Sequence, residues 1–527
     1  MPRSGRHDGP SGRLYWKSRL PRACSRRLLV STGPGLGESE LKEIQLLIDG
    51  RWREGHSAER FVRRCPLDGS EATWAAAATA EDAVAAVEAA GRAQAAWSGA
   101  GPSQRRAVLE RAAQGIGTRK NALIEAMMEE TGAGRLWSEF NVLQAQVMVR
   151  EAAAATTRVS GEVIPSDVPG SLAMAVRQPA GVVLGIAPWN APAILGVRAI
   201  AMPLACGNTV VLKGSEICPR VHALIAEAFH EALVEAGMPG AAINYIVHAP
   251  AAAGEVVEAM VAHAAVRRVN FTGSTRVGRL IAASCARHLK PVLLELGGKA
   301  PLVVLADADL DAAAQAAAFG AYLHSGQICM STERLIVDAS VADEFAARLA
   351  GRISGLVPRD PRQADSVLGA VVDAETVHRC NRMIDDALAK GAVLVHGGKA
   401  DSPLMAPVLL DRVTAEMAIY REESFGPVKG IVRVDGPEQA IRCANDTEYG
   451  LSSAIFSRDL AAALALARRI DSGICHINGP TVHDEPQMPF GGVKASGFGR
   501  FGGTAGIDAF TDLRWITVQT GPRSYPF

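Results

Sequence analysis

Between residues 182 and 287, short apolar runs alternate with helical stretches, and that rhythm constrains the fold more than any other feature of the chain. The runs lie at 182–187, 209–212, 243–247 and 266–272, the last more polar than the others. Stretches with helical periodicity follow them at 193–205, 220–236, 252–264 and 275–287. Strands buried on both faces read as continuous apolar segments, and helical crossovers between them favour parallel pairing. The expectation is a doubly wound, Rossmann-like α/β domain.

A second α/β unit follows from residue 291, with strands expected at 301–305, 334–337, 429–434, 453–456 and 474–478. Ahead of the first unit lie a strand-like segment, Leu46-Leu47-Ile48-Asp49-Gly50-Arg51-Trp52, and helices expected at 79–98, 103–131 and 133–156. Thr79 or Glu81 is placed to cap the first of these. Residues 160–179 read as an extended hairpin turning at Pro169-Gly170, and 513–519 alternate like an edge strand. Neither segment belongs to a core, so together they form a candidate arm for assembly.

A chain of 527 residues exceeds what one hydrophobic core usually supports. Its formal net charge is zero, which argues against a nucleic-acid or anionic-membrane partner, since counterion release needs a basic surface. No apolar run reaches the roughly 18 residues of a membrane span. The nine cysteines include no CxxC pair and their number is odd, so a reducing cytoplasm is expected rather than a disulfide framework. Up to Gly37 the chain holds eight Lys or Arg and one acid, Asp8, without an apolar signal core. That start reads as an extension outside the folded domains, although an Arg-rich, acid-poor start also mimics an organelle transit peptide.

Several residues are costly or informative where they stand. Glu295 lies at the end of an apolar strand before two glycines, in Leu293-Leu294-Glu295-Leu296-Gly297-Gly298-Lys299. Burying a carboxylate there requires either a partner, for which Lys299 is the nearest candidate, or use as a base whose pKa burial raises. Cys329 ends Gly326-Gln327-Ile328-Cys329, where a turn would expose a thiol; a lone cysteine is more often a small buried apolar residue. Pro188-Trp189-Asn190 and Lys213-Gly214-Ser215-Glu216 end two of the strands, where ligands gather in open α/β sheets. The Asn190 amide suits an oxyanion, and the Glu216 carboxylate suits ribose hydroxyls. Phe271-Thr272-Gly273-Ser274-Thr275 opens a helix whose N-terminal N–H groups suit a pyrophosphate. His476, His483, Asp484 and Glu485 match no standard zinc pattern, so no metal is expected and they read as loop residues at the substrate mouth.

These motifs, in this order and joined by Glu422-Glu423-Ser424-Phe425-Gly426-Pro427 and Pro489-Phe490-Gly491-Gly492, resemble the aldehyde dehydrogenase superfamily from about residue 46 to 518. The spacings agree: Glu295 to Cys329 is 34 positions (329 minus 295), and Asn190 to Lys213 is 23 (213 minus 190). Gly214 departs from the pattern, since many relatives have Pro there, and a looser turn before Ser215 is expected.

The resemblance implies an aldehyde dehydrogenase fold: a Rossmann-like cofactor domain (46–159 and 181–292), an α/β catalytic domain (293–506) and a β oligomerisation arm (160–180 and 507–527), with 1–45 as the extension. It assigns Cys329 as nucleophile, Glu295 as base and Asn190 as oxyanion donor. It places Ile186, Pro188, Trp189, Lys213, Ser215, Glu216, Phe271, Gly273, Ser274, Leu296, Glu423 and Phe425 around NAD, with NADP as the alternative. It implies a homodimer or homotetramer acting on a small-molecule aldehyde. The segments 327–334 and 477–490 look like the branch that oxidises aromatic aldehydes of the vanillin, salicylaldehyde or benzaldehyde type. Arg198, Leu323, Ile328, Met330 and Phe490 are then the expected substrate contacts. Arg198 has two readings: a salt bridge to a nearby acid, or contact with the substrate ring. The rival functions are an aliphatic aldehyde or semialdehyde dehydrogenase, a CoA-acylating relative, which often lacks the Glu295 base, and a non-catalytic relative, which would lack Cys329 or Glu295.

Overall fold

The computed structural model describes residues 43–363 and 366–527, so the expected extension falls outside the described residues up to position 42. The core of the first sheet is five parallel strands, in spatial order Val292–Glu295, Val266–Thr272, Val182–Ile186, Thr209–Lys213 and Ile243–Ile246. The chain enters in the middle, builds outward on one side, then crosses to the other. The order therefore reverses between Val182–Ile186 and Val266–Thr272, and a crevice for a ligand opens at the carboxyl ends of such a pair. The sheet reaches Glu295, beyond the expected domain boundary at 292, because Thr272 pairs with Glu295 in parallel register.

Antiparallel strands extend both edges. Gly497–Phe498 returns from the far end of the chain to pair with Val292–Glu295. On the other edge the segment read as one strand is a hairpin, Leu46–Ile48 and Arg51–Arg53. Asp49 and Gly50 between them have φ of 55° and 72°, the two-residue turn that Asp-Gly favours.

The helix Ala80–Ser98 starts with a capping box: the Thr79 hydroxyl accepts from the Asp82 N–H at 3.3 Å, and the Asp82 carboxylate accepts from the Thr79 N–H at 3.1 Å. The single helix expected at 103–131 is two, Pro102–Thr118 and Lys120–Thr131. Arg119 leaves helical geometry between them (ψ 11°) and reaches Glu227 at 2.9 Å and Glu231 at 2.6 Å on the helix Pro219–Glu235. Tertiary pairing overrides a continuous local pattern here.

The second sheet has seven strands, ordered Val393–His396, Val408–Asp411, Val428–Val434, Thr332–Asp338, Ala300–Val304, Ser452–Phe456 and Ile474–Ile477. The first two were not expected. Alternate residues face opposite cores: Val303 and Ile336 pack on one side, Leu302 and Leu335 on the other. Each such burial contributes about 1.5–3 kcal/mol relative to exposure. The arm forms as expected, with Ser171–Pro179 paired antiparallel to Glu162–Ile164 and, along its full length, to Thr511–Gln519. Among the described residues, no helix is long and apolar enough to cross a membrane.

Candidate active site

Cys329 follows a short, strained turn. After the helix Leu310–Tyr322 the backbone enters the left-handed region at three successive residues, His324 (φ 51°), Ser325 (φ 54°) and Gly326 (φ 74°). Only the third can be read as conformational need in sequence: a Cβ on Gly326 would stand 2.3 Å from the Gly426 carbonyl oxygen. Left-handed geometry in non-glycine residues costs about 1–3 kcal/mol each and persists only where packing enforces it. The enforcing contact is Trp137, whose ring stacks on His324 at 5.1 Å between centroids and an interplanar angle of 14°. Burial holds the His324 imidazole neutral, with its pKa lowered to about 3.

Trp137 also touches the oxyanion candidate. Its indole N–H donates to the Asn190 carbonyl at 3.0 Å. The Asn190 side-chain amide donates to the Gln327 carbonyl, also at 3.0 Å, which leaves its second N–H free for a reacting oxygen. Gln327 in turn accepts from the Val372 N–H at 2.9 Å. The turn and the asparagine are thus one hydrogen-bonded unit, and Cys329 follows Gln327 by two residues. Sequence reading missed Trp137 and Gln327, because neither pattern nor charge marks a side chain whose job is to hold another residue's backbone.

Glu295 is 1% exposed, and among the described residues neither carboxylate oxygen has a hydrogen-bond partner. Burial pushes its pKa up to about 7; the Arg198 charge and the neighbouring Cys329 thiol oppose that rise, and Asp484 adds to it. The expected pairing with Lys299 does not form. Lys299 instead meets Glu333 at 2.6 Å, and Lys429 meets the other oxygen of Glu333 at 2.6 Å. Cys329 is free and partly exposed. Burial raises its thiol well above the ordinary range, the Glu295 carboxylate reinforces this, and Arg198 acts against it. The two glycines after Glu295 allow the approach: a Cβ on Gly298 would lie 2.6 Å from the Cys329 carbonyl oxygen.

Most of the residues expected around the cofactor sit at or just after the carboxyl ends of the parallel strands of the first sheet, while Glu423 and Phe425 precede the strand Val428–Val434 of the second. Buried Ile186 closes the strand before Pro188 and Trp189, and Trp189 meets Phe425 edge-on at 5.7 Å. Lys213 and Glu216 pair at 3.5 Å, with Glu216 about one third exposed. Ser215 donates its N–H to His222 at 3.0 Å. Phe271 is buried next to the end of its strand, and the Gly273 N–H donates to the Glu295 carbonyl at 3.0 Å. Exposed Ser274 caps the helix Thr275–Arg287 through Val277. Leu296 is buried, and Glu423 accepts from the Gly298 N–H at 3.0 Å. This set fits a dinucleotide: a diol acceptor in Glu216, a helix N-terminus for phosphates and a half-buried carboxylate, Glu423, near enough to act on the Cys329 thiol. Gly214 does not loosen its turn. Its N–H donates to Ile246, and the Tyr245 ring lies 2.7 Å from where a Cβ would stand, so this chain has filled the space that Pro would need.

Of the expected substrate contacts, Arg198 and Phe490 line a narrow cavity of about 40 Å³ with Met148, Asp484, Met488 and Phe501. Leu323, Ile328 and Met330 do not line it; they pack in the core beside Cys329. Arg198 forms a buried ion pair with Asp484, and its guanidinium sits 4.3 Å over the Phe490 ring and 5.6 Å from Phe501. Asp484 and Glu485 reach the cavity wall. His476 instead meets His483 edge-on at 5.1 Å, and His483 pairs with Glu485 at 2.9 Å. Among the described residues, no three His, Cys, Asp or Glu gather as metal ligands. A wider surface cleft of about 630 Å³ near Arg382 and Lys399 lies apart from all of this chemistry.

A partly exposed thiol, a buried carboxyl and an amide with a free N–H lie together near the carboxyl ends of the parallel strands. Residues 52–516 match the aldehyde dehydrogenase family, and the chain belongs to that family. It is 59% identical over 484 residues to a vanillin dehydrogenase of Pseudomonas fluorescens, covering 92% of this chain and 99% of that one. It also resembles the crystal structure of a salicylaldehyde dehydrogenase from Pseudomonas putida G7 complexed with salicylaldehyde (TM-score 0.90, 45% identity, 92% and 100% covered). An E. coli NADP-dependent enzyme is similar at TM-score 0.88 and 32% identity, covering 92% and 100%.

Proposed function

We propose that this chain oxidises hydroxylated aromatic aldehydes, of the vanillin or salicylaldehyde kind, to their carboxylic acids with NAD. The observation that carries the reading is Glu295, buried without a hydrogen-bond partner and influenced directly by Cys329. An unpaired buried carboxyl is a liability that only a function offsets. The aromatic substrate rests on the named relatives and on a cavity walled by Phe490, Phe501 and two methionines, with Arg198 present to meet a ring oxygen.

The thiol of Cys329 is held protonated at rest, and its proton passes to solvent, to which the residue is partly open, before attack. The sulfur then adds to the aldehyde carbon. The free N–H of Asn190 and the Cys329 backbone N–H hold the resulting oxyanion, an effect worth roughly 3–4 kcal/mol. Bound nicotinamide supplies the acceptor for the hydride that leaves that carbon. The acyl group remains on Cys329 as a thioester. Glu295 takes a proton from water, the hydroxide adds to the thioester, and the acid departs as the thiolate returns.

NAD is favoured because a 2′-phosphate would bring negative charge beside Glu216; Glu216→Gln should narrow any preference over NADP. All cysteines among the described residues are free, which supports a cytoplasmic setting. The arm exposes Trp515 (78%) and Leu513 (62%), which supports a homo-oligomer. The division between a cofactor and a catalytic domain is placed after Glu295, where the first sheet ends, rather than at 292. The test is turnover of Cys329→Ser, expected to vanish while NAD still quenches tryptophan fluorescence. Near-normal turnover would overturn the assignment, and a wild-type preference for hexanal over hydroxybenzaldehydes would remove the aromatic substrate.

A further inference from the structure

The walls of the cavity lined by Arg198 and Phe490 carry an uneven charge. Four of the lining residues are ionisable, and three of them are acids: Glu151, Asp484 and Glu485, against Arg198 alone. Glu151 and Glu485 turn to partners outside the lining, Arg158 at 3.2 Å and His483 at 2.9 Å. Arg198 and Asp484 face each other within it, with side chains only 7% and 13% exposed. The loop holding Asp484 is tied to the neighbouring helix, since the Gln144 amide donates to the Asp484 carbonyl at 3.3 Å. The guanidinium is fixed from two more sides by the Phe490 and Phe501 rings, which use none of its N–H groups. Of its five N–H donors, one goes to Asp484, and among the described residues the others meet no acceptor.

We propose that Asp484 is a specificity-determining residue: by neutralising Arg198 it opens the cavity to uncharged and hydroxylated aldehydes and closes it to aldehydes that carry a carboxylate. This rests on the reading of the cavity as the seat of the substrate's ring. A neutral phenol suits the ion pair, because its hydroxyl can donate to the Asp484 carboxylate while its oxygen accepts from an idle Arg198 N–H. A carboxylate has only acceptors. To enter it must shed water among methionines and phenylalanines, and it then meets a guanidinium whose charge is already balanced and an aspartate of its own sign. The pair therefore reads charge as well as shape, and it separates ring aldehydes from semialdehydes that end in an acid group.

The test compares kcat/KM for 4-hydroxybenzaldehyde and 4-carboxybenzaldehyde, followed by NADH absorbance, in three proteins. Wild type should strongly prefer the hydroxylated ring. Asp484→Asn leaves Arg198 uncompensated and should raise the carboxylate-to-hydroxyl ratio at least about tenfold. Removing both charges, in Asp484→Asn with Arg198→Met, should bring the ratio back to within about threefold of wild type, because that cavity again offers no cation. This double variant also guards against a trivial packing effect, which would not reverse. The proposal is overturned if wild type accepts both aldehydes equally, if Asp484→Asn leaves the ratio unmoved, or if the double variant keeps the raised ratio. Should wild type oxidise hexanal but neither ring aldehyde, the aromatic reading falls. The same three proteins then test Asp484 on succinic semialdehyde against hexanal, with the same expected rise and return.

Discussion

Glu295 and Glu333 are equally hidden, at 1% and 2% exposure, yet their environments drive them in opposite directions. Glu333 starts the strand after the Cys329 turn and is fully partnered. Lys299 and Lys429 each approach at 2.6 Å, and Ser424 donates its N–H at 3.0 Å and its hydroxyl at 2.7 Å. Burial alone would raise its pKa, but the two ammonium groups outweigh that and hold it at about 2. Glu295 has the same burial without the partners, and it rises to about 7. Burial sets the cost of a charge, and the partners decide whether that cost is removed or left available for chemistry. Glu333 anchors Ser424 beside Glu423, whereas Glu295 is kept unsatisfied beside the thiol.

The contrast is sharpest in turnover. Glu295→Gln should lower steady-state kcat about 10²–10⁴-fold, as expected when a general base is lost. Its melting temperature should equal or exceed that of wild type, since an unpaired buried carboxyl has been removed. A large drop in stability would show that Glu295 is a structural ion after all. Glu333→Gln should do the reverse. It leaves two buried ammonium groups uncompensated and should cost about 3–5 kcal/mol of unfolding free energy in urea titrations. Stability unchanged by that substitution would break the comparison from the other side.

A pH profile separates them again. Glu295 is raised from its ordinary value, so its basic form appears only as pH climbs through about 7. Where deacylation limits turnover, kcat should rise across that range, and the limb should be lost in Glu295→Gln. Glu333 is depressed, so its contribution to stability is fully present above about 4.5 and is lost as pH falls toward 2. A flat kcat between pH 6 and 8 would place the Glu295 proton elsewhere. The smallest effect is expected at Trp137. Trp137→Phe keeps a ring against His324 but deletes the N–H held by the Asn190 carbonyl, and should reduce kcat/KM by about three- to tenfold, near the value of one buried hydrogen bond. No loss would mean that Asn190 is placed by Gln327 alone.

Much of this was legible in the chain. Four of the five parallel strands announced themselves because strands buried on both faces leave no polar face to blur the pattern, and the arm because Pro169-Gly170 marks its turn; the fifth, Val292–Glu295, had been given to the second unit. The break at Arg119 was not legible, since the acids that draw it out of the helix lie over one hundred residues away. Glu295 stood out by its cost, but its obvious neighbour Lys299 was claimed by Glu333, 34 positions further on (333 minus 299). Asn190 was picked out as a candidate oxyanion donor from its place after a strand end. Its support was not, because the stacking of Trp137 on a left-handed His324 exists only in three dimensions. Arg198 was recognised as needing a partner, and the fold supplied both an acid and two rings from the distant loop 484–501.

The account turns on Cys329 holding the acyl group while Glu295 releases it. Glu295→Gln mixed with NAD and 4-hydroxybenzaldehyde should give a rapid first turnover of NADH, and intact-protein mass spectrometry should find one hydroxybenzoyl group, mapped to the Cys329 peptide. A first turnover slowed as much as later ones, with no acyl group on Cys329, would contradict it.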